Sequence, residues 1–244
     1  MVVCCVDSCG GRQVLKRKNK AKGVEQGKTV GPQVYEILKQ RIVQGELVPG
    51  RRISEAEISQ KLEVSRQPVR EAFLKLRDEG LVEIRPQRGT VVTKISVDAV
   101  NDARFIREAI EADIIRLLAE QGDPAVVESL RELVLLQRKV PENEPEKFIE
   151  LDERFHRTMA EAAGKLKAWG VIANMKAHLD RVRYLSSTEK PMQRLADQHE
   201  AVVEAIASAD PGRAEKAIRG HLREVLIDLP KVMSAKPEMF EEND

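Results

Sequence analysis

The sequence predicts a mainly α protein: a small N-terminal domain with a two-stranded β-ribbon, followed by a larger antiparallel all-α bundle. Three observations predict it. Apolar residues recur at helical spacing along most of the 244 residues. Aromatic residues make up only 3% of the chain, while Leu, Val, Ile, Ala, Glu, Lys and Arg abound, which favours helices over a sandwich or barrel. Strand-like alternation is confined to 81–85 and 90–95, on either side of the turn Pro86-Gln-Arg-Gly89. The length suffices for two cores. No apolar run approaches the roughly 20 residues a membrane span needs, which excludes an integral membrane protein.

Residues 1–31 read as a disordered basic leader or, in their first few positions, a start-site artefact. Five glycines and seven Lys or Arg within 7–31 cannot bury a core. Cys4, Cys5 and Cys9 are the only cysteines, too few and too clustered for a disulfide framework, and no His lies near to complete a zinc knot. The remainder therefore reads as a reduced, cytoplasmic protein.

Order is expected from Pro32. Val34, Ile37, Leu38, Ile42 and Val43 sit at helical spacing, and Gly45 ends the run. Ser54 caps a second short helix, with Glu57 three residues on completing a capping box. Ser65 caps a third helix to about Asp78, with Pro68 tolerated in its first turn and Gly80 closing it. The ribbon follows. Three short helices and a two-stranded wing make a winged helix-turn-helix over 32–95.

The third helix of such a domain enters the major groove N-terminus first. Ser65, Arg66, Gln67 and Arg70 stand on its leading turns: Arg can fork onto guanine, Gln onto adenine, and Ser onto phosphate. Arg88, Gly89 and Thr90 sit at the wing tip, where Gly permits close approach to the DNA backbone. The competing reading of these arginines is a solvated helix face. Charge favours DNA: residues 1–95 hold nineteen basic against eleven acidic side chains, whereas the rest holds twenty-two against twenty-nine.

The runs Pro49-Gly-Arg-Arg-Ile-Ser-Glu55, Val64-Ser-Arg-Gln-Pro-Val-Arg-Glu-Ala72, Leu76-Arg-Asp-Glu-Gly-Leu81 and Arg88-Gly89 closely resemble the GntR family of bacterial transcription regulators. The resemblance implies that Arg52, Arg66, Arg70 and Gly89 face DNA. Ala56 stands where some members carry a further Arg, and Gln67 where Thr is common, so a different base preference is implied.

Residues 96–235 read as an all-α domain for effector binding and dimerisation. Six helical runs are expected at 97–121, 125–140, 146–163, 166–186, 192–209 and 213–229, the last stopped by Pro230, with 236–244 a frayed tail. All four histidines fall here. Asp152 and His156 are four apart, hence on one helix face. His199 precedes the Asp210-Pro-Gly212 turn by about as many residues as His221 follows it, so a hairpin sets both imidazoles level, each about 15–17 Å from the turn. Three imidazoles and a carboxylate suit zinc or nickel, and also manganese, with positions left for a ligand. A structural role is the competing reading of each His taken singly, and it is the one adopted for His178.

This half resembles the FadR-type branch of the same family, whose metal-binding members carry an Asp-x-x-x-His pair and two later His on separate helices. Asp152, His156, His199 and His221 match that pattern. The resemblance further implies that Arg104, with Glu108 in the same helix pattern, faces an effector carboxylate. Lys165 departs from a common Asn, and the six-run count fits the VanR-like subset.

Together these readings predict a homodimeric regulator, a repressor, that binds a short palindrome in double-stranded DNA and responds to a small carboxylate at a divalent metal. A metal-dependent hydrolase with an accessory DNA-binding domain is the alternative from another class. No phosphate-cradling Gly loop, Ser nucleophile elbow or well-spaced general base supports it, and Glu153 points about 100° away from Asp152. A third reading leaves the histidines without metal and seats the effector on Arg104, Arg181 and Arg183, the latter two otherwise surface or ion-pairing residues.

Overall fold

The computed structural model describes residues 24–25, 27–187 and 192–242. Expectations about 1–23, Cys4, Cys5 and Cys9 among them, lie outside the described residues.

The N-terminal domain runs α1 (Val30–Val43), β1 (Arg52–Ile53), α2 (Glu55–Leu62), α3 (Arg66–Asp78), β2 (Val82–Arg85) and β3 (Gly89–Val92). Val34, Leu38 and Ile42 of α1 meet Ile58 and Leu62 of α2 and Val69, Phe73 and Leu76 of α3 in one buried cluster. The Ser54 hydroxyl accepts the Glu57 amide at 3.1 Å, as the capping box requires. Ser65 also stands at an N-cap, but its side chain makes no capping bond. The wing is a three-stranded antiparallel sheet in the order β1-β3-β2, since Arg52 pairs with Val91 and Ile53 with Thr90. Two residues are too few to carry an alternation, so only tertiary pairing reveals β1.

The C-terminal domain comprises α4 (Val97–Gln121), α5 (Pro124–Arg138), α6 (Pro145–Ala162), α7 (Leu166–Met175), α8 (Ala177–Ser187), α9 (Gln193–Ala207), α10 (Pro211–Leu222) and α11 (Glu224–Ala235). Six expected runs become eight helices among the described residues. The run 166–186 divides at Lys176, and 213–229 divides at Arg223. Apolar spacing stays nearly in phase across both breaks, so periodicity does not expose them. Pro230 lies inside α11 rather than ending it. None of the described helices is long and apolar enough to cross a membrane.

Within the expected frayed tail, the described residues 236–242 are packed. Pro237–Met239 forms a 3-10 turn, and Met239 and Phe240 bury against Val100, Leu179 and Val232. The Ile95 amide donates to the Met239 carbonyl at 2.8 Å and the Glu241 amide to the Ile95 carbonyl at 3.1 Å, clasping the interdomain connection.

Helix α8 joins the two domains. Ala177 belongs to the N-terminal core, the Ser96 amide donates to His178 Nδ1 at 3.2 Å, and Arg181 donates to the Thr93 carbonyl at 3.0 Å. His178 is thus a core histidine. Arg181 is fully buried, against its reading as a surface or ion-pairing residue. Burial lowers the His178 imidazole from 6.5 to about 4, with the neighbouring Arg181 adding to the shift. Because the folded value lies below the unfolded one, the unfolded chain binds this proton first as pH falls. Stability from His178 is therefore complete above about pH 6.5 and drains away toward pH 4. Replacing His178→Gln, which retains an acceptor, should flatten the loss of Tm between pH 6.5 and 4.5; an unchanged slope would refute the assignment.

Candidate functional site

The leading turns of α3 face solvent because the apolar residues of this helix all lie on its other side. Val69, Ala72, Phe73 and Leu76 point into the core, while Ser65, Arg66, Gln67 and Arg70 are exposed. Arg66 makes no ion pair among the described residues. Arg70 is held by Glu55 in a two-pronged bond of 3.0 and 3.1 Å, and Gln67 donates to Glu71 at 3.1 Å. Both side chains thus already have a protein partner. Arg52 on β1 is exposed, as are Arg88 and Gly89 at the wing tip. The tip turns tightly through Gln87 at φ 60° and Gly89 at φ 87°, and the latter suits glycine. Thr90 departs from expectation. At 5% exposure it lies beneath the sheet opposite Ile53, so its side chain does not reach the wing surface.

The second site is built from α6, α9 and α10. Asp152 and His156 share the inner face of α6, one turn apart. Asp210 caps α10 by accepting the Arg213 amide at 2.9 Å, which fixes the α9–α10 hairpin and sets His199 level with His221. Their Nε2 atoms are 3.2 Å apart, and His156 Nε2 is also 3.2 Å from that of His221. One donor atom from each of Asp152, His156, His199 and His221 falls within 4.8 Å of all the others, and all four residues are buried. The sequence-predicted set is brought together in full.

Each imidazole is oriented from behind. Nδ1 of His156 meets Glu111 at 2.5 Å, that of His199 meets Gln137 Oε1 at 2.8 Å, and that of His221 meets Gln198 Oε1 at 3.0 Å. With Nδ1–H donated outward, each Nε2 turns its lone pair into the cluster. Three lone pairs and a carboxylate converging without a proton donor among them suit a divalent cation. Burial lowers His199 to about 3 and drives His221 well below its ordinary value, which leaves both neutral and ready to ligate. Burial alone would raise the Asp152 carboxyl, but the Arg183 guanidinium and the imidazoles hold it well below the usual range. Glu111, similarly buried, is held at about 2 by Arg107 and His156. Asp152, His156, His199 and His221 could hold a metal ion.

A cavity of about 190 Å³ opens beside His221. Leu179, Val182, Leu195 and Val225 supply apolar wall, and Arg104, Arg107, Arg183 and Arg194 bring positive charge, set against Glu224 and Asp228 on the same lining. Arg104 is on the cavity lining, bonded to Glu108 at 2.8 Å. Glu108 also binds Arg219 and Arg223; the Arg223 bond above all, with the other two guanidiniums against burial, holds its carboxyl at about 2. Arg183 is the residue sequence reasoning undervalued: it lines the cavity and bonds Asp152 directly. Glu111, Gln137 and Gln198 were also missed. The signal for Glu111 was present, since Arg104, Arg107, Glu108 and Glu111 follow the 3-4-7 spacing of an inward helix face. Glu153 turns away from the cluster to Lys176 at 2.8 Å.

Comparison with known proteins bears on both sites. Residues 31–92 match the family described as bacterial regulatory proteins, gntR family, and residues 102–224 match the FCD domain. The HTH-type transcriptional repressor RspR of Escherichia coli K12 is 38% identical over 215 residues, covering 87% of this chain and 94% of that one. A probable D-xylose utilization operon transcriptional repressor from Paenarthrobacter nicotinovorans is 30% identical, covering 80% of this chain and 86% of its own. The E. coli McbR/YncC structure shares the fold, with TM-score 0.68 and 18% identity over 84% of this chain and 98% of that one. With a wing-bearing recognition helix, the matching family signature and these relatives in place, the chain belongs to the GntR family of transcription regulators with an FCD domain.

Proposed function

We propose that the protein is a homodimeric transcriptional repressor of the cytoplasm whose grip on a short palindromic operator is released by a small carboxylate bound at a divalent metal. The observation that carries this reading is the convergence of three outward-anchored imidazoles and Asp152 beside an arginine-lined cavity. The metal, zinc or nickel foremost with manganese also suited, is held by Asp152, His156, His199 and His221 and supplies a Lewis acid to the ligand's oxygens. Arg104 and Arg183 face the same cavity and supply charge for the carboxylate. In the N-terminal domain Arg52, Ser65, Arg66, Gln67, Arg70, Arg88 and Gly89 contact DNA. The repressor names of RspR and of the D-xylose operon relative support the sign of regulation.

Helix α8 gives the coupling a material basis. Leu179, Val182 and Arg183 line the cavity, while Ala177, His178 and Arg181 of the same helix hold the DNA-binding domain. A ligand that binds one placement of α8 better than the other shifts the two-state balance, and DNA must weaken the ligand by the same factor. The test is operator-binding anisotropy across a panel of small carboxylic acids, with metal-loaded and chelator-stripped protein. An acid that weakens operator binding at least tenfold only in the loaded protein is the expected result. Release by no acid, or equal release from stripped protein, would overturn the metal-linked reading.

A further inference from the structure

We propose that residues 237–241 form a strap that positions the DNA-binding domain on the helical bundle, so that the two domains of a dimer meet a palindrome at fixed spacing. The proposal rests on the dimeric reading above and names the element that holds each domain in place.

The strap is made by the end of the chain. Helix α11 stops at Ala235, and the 3-10 turn Pro237–Met239 redirects the backbone. Phe240 then runs extended, at φ −106° and ψ 154°, and pairs in parallel with Ile95. Met239 and Phe240 are both buried, in the same apolar cluster as Ile95, Val100 and Val232. Lys94 and Glu242 flank the pairing as an ion pair at 4.0 Å.

The place of this contact gives it a role. Residues 93–96 are the whole connection between β3 and α4. Each residue brings two soft dihedrals, so only restraints from outside fix the direction in which the domain projects. Among the described residues, four hydrogen bonds tie this backbone to the C-terminal domain. Helix α8 supplies two, from Arg181 to the Thr93 carbonyl and from the Ser96 amide to His178. The strap supplies the other two, one at the amide of Ile95 and one at its carbonyl.

The joint also contains a group that works against closure. Arg181 is fully buried, yet its Nε and Nη2 make no hydrogen bond among the described residues. Burial lowers its pKa to about 10, and the Glu241 carboxylate on the strap is the charge that opposes the shift. A buried cation with unpaired donors favours opening to water, whereas the strap and the apolar cluster favour closure. Weakening the strap therefore frees the domain. Helix α11 also borders the cavity through Glu224, Val225 and Asp228, so a shift of this helix reaches the connection by a route separate from α8.

The test uses the full chain and a palindrome selected from a random duplex pool, together with its isolated half-site. Phe240→Ala should weaken palindrome binding at least about tenfold and half-site binding by less than about twofold, because a loosened second domain has a lower effective concentration at its half-site. Amide exchange at Ile95 and Glu241 should quicken while that of α3 and α6 is unchanged. Phe240→Leu, which still fills the apolar cluster, should retain the palindrome preference, and ending the chain at Lys236 should abolish it. Equal losses on both duplexes would make Phe240 a residue of general stability and overturn the proposal. A wild type that prefers the palindrome, with a Phe240→Ala variant that keeps the whole preference, overturns this proposal while the dimeric reading stands. A wild type that binds palindrome and half-site alike overturns both.

Discussion

Replacing His199 and His221 together with Ala should abolish the divalent ion content read by elemental analysis and lower Tm by about 8–16 °C. The magnitude follows from linkage: an ion at a thousand times its Kd stabilises by about 4 kcal/mol, and a chain of this size shifts about 2–4 °C per kcal/mol. Chelator treatment of the wild type should reproduce most of the loss without touching a side chain, which separates the ion from the cavities the substitutions leave. The structure gives the physical reason. With Nδ1 of each ring engaged outward, the Nε2 atoms of His156 and His199 each lie 3.2 Å from that of His221, an arrangement that a cation relieves. Arg183 tempers the penalty by pairing with Asp152, so the stripped protein should remain folded. A wild type whose Tm is indifferent to chelator and whose metal content is nil would refute the site.

The two sites were legible in the sequence to different depths. The ligand set could be read because each ligand sits on a long helix whose phase is set by local spacing. Asp152 and His156 are one turn apart, and a capped turn at Asp210 registers His199 with His221. What orients those ligands was less legible. Gln137 reaches His199 from α5, 62 residues away, and glutamine at an inward position has no pattern of its own. Arg183 was read as a surface or ion-pairing residue, and it does ion-pair; only the fold identifies its partner as Asp152, 31 residues earlier. The breaks at Lys176 and Arg223 escaped detection for a related reason, since periodicity reports which face is buried and not whether the axis bends. Thr90 failed because β3 is the central strand of three, with Thr90, Val91 and Val92 all buried, and only the pairing with the two-residue β1 reveals that position. The packed end of the chain depended on Phe240 finding Ile95, a contact between residues nearly the whole C-terminal domain apart.

Arg66→Ala should weaken binding to the cognate operator by about 5- to 150-fold, the equivalent of the about 1–3 kcal/mol that a bidentate Arg–guanine contact contributes. The largest loss is expected here rather than at Arg70 because the two arginines start from different states. Arg66 is exposed on the first turn of α3 with no ion pair among the described residues, so its whole contact with a base edge is gained on binding. Arg70 must first leave Glu55, and what it gains from DNA is reduced by the two charge-assisted bonds it gives up. The difference yields a second, opposite-signed outcome: Glu55→Gln should tighten operator binding, because it frees Arg70 and removes a negative charge near the phosphates. Affinity for unrelated duplex should fall only modestly in Arg66→Ala, with the slope of log K against log salt reduced by at most about one. Equal losses on operator and unrelated DNA would instead make Arg66 a phosphate contact, and base reading would then rest with Gln67 and Arg70 alone.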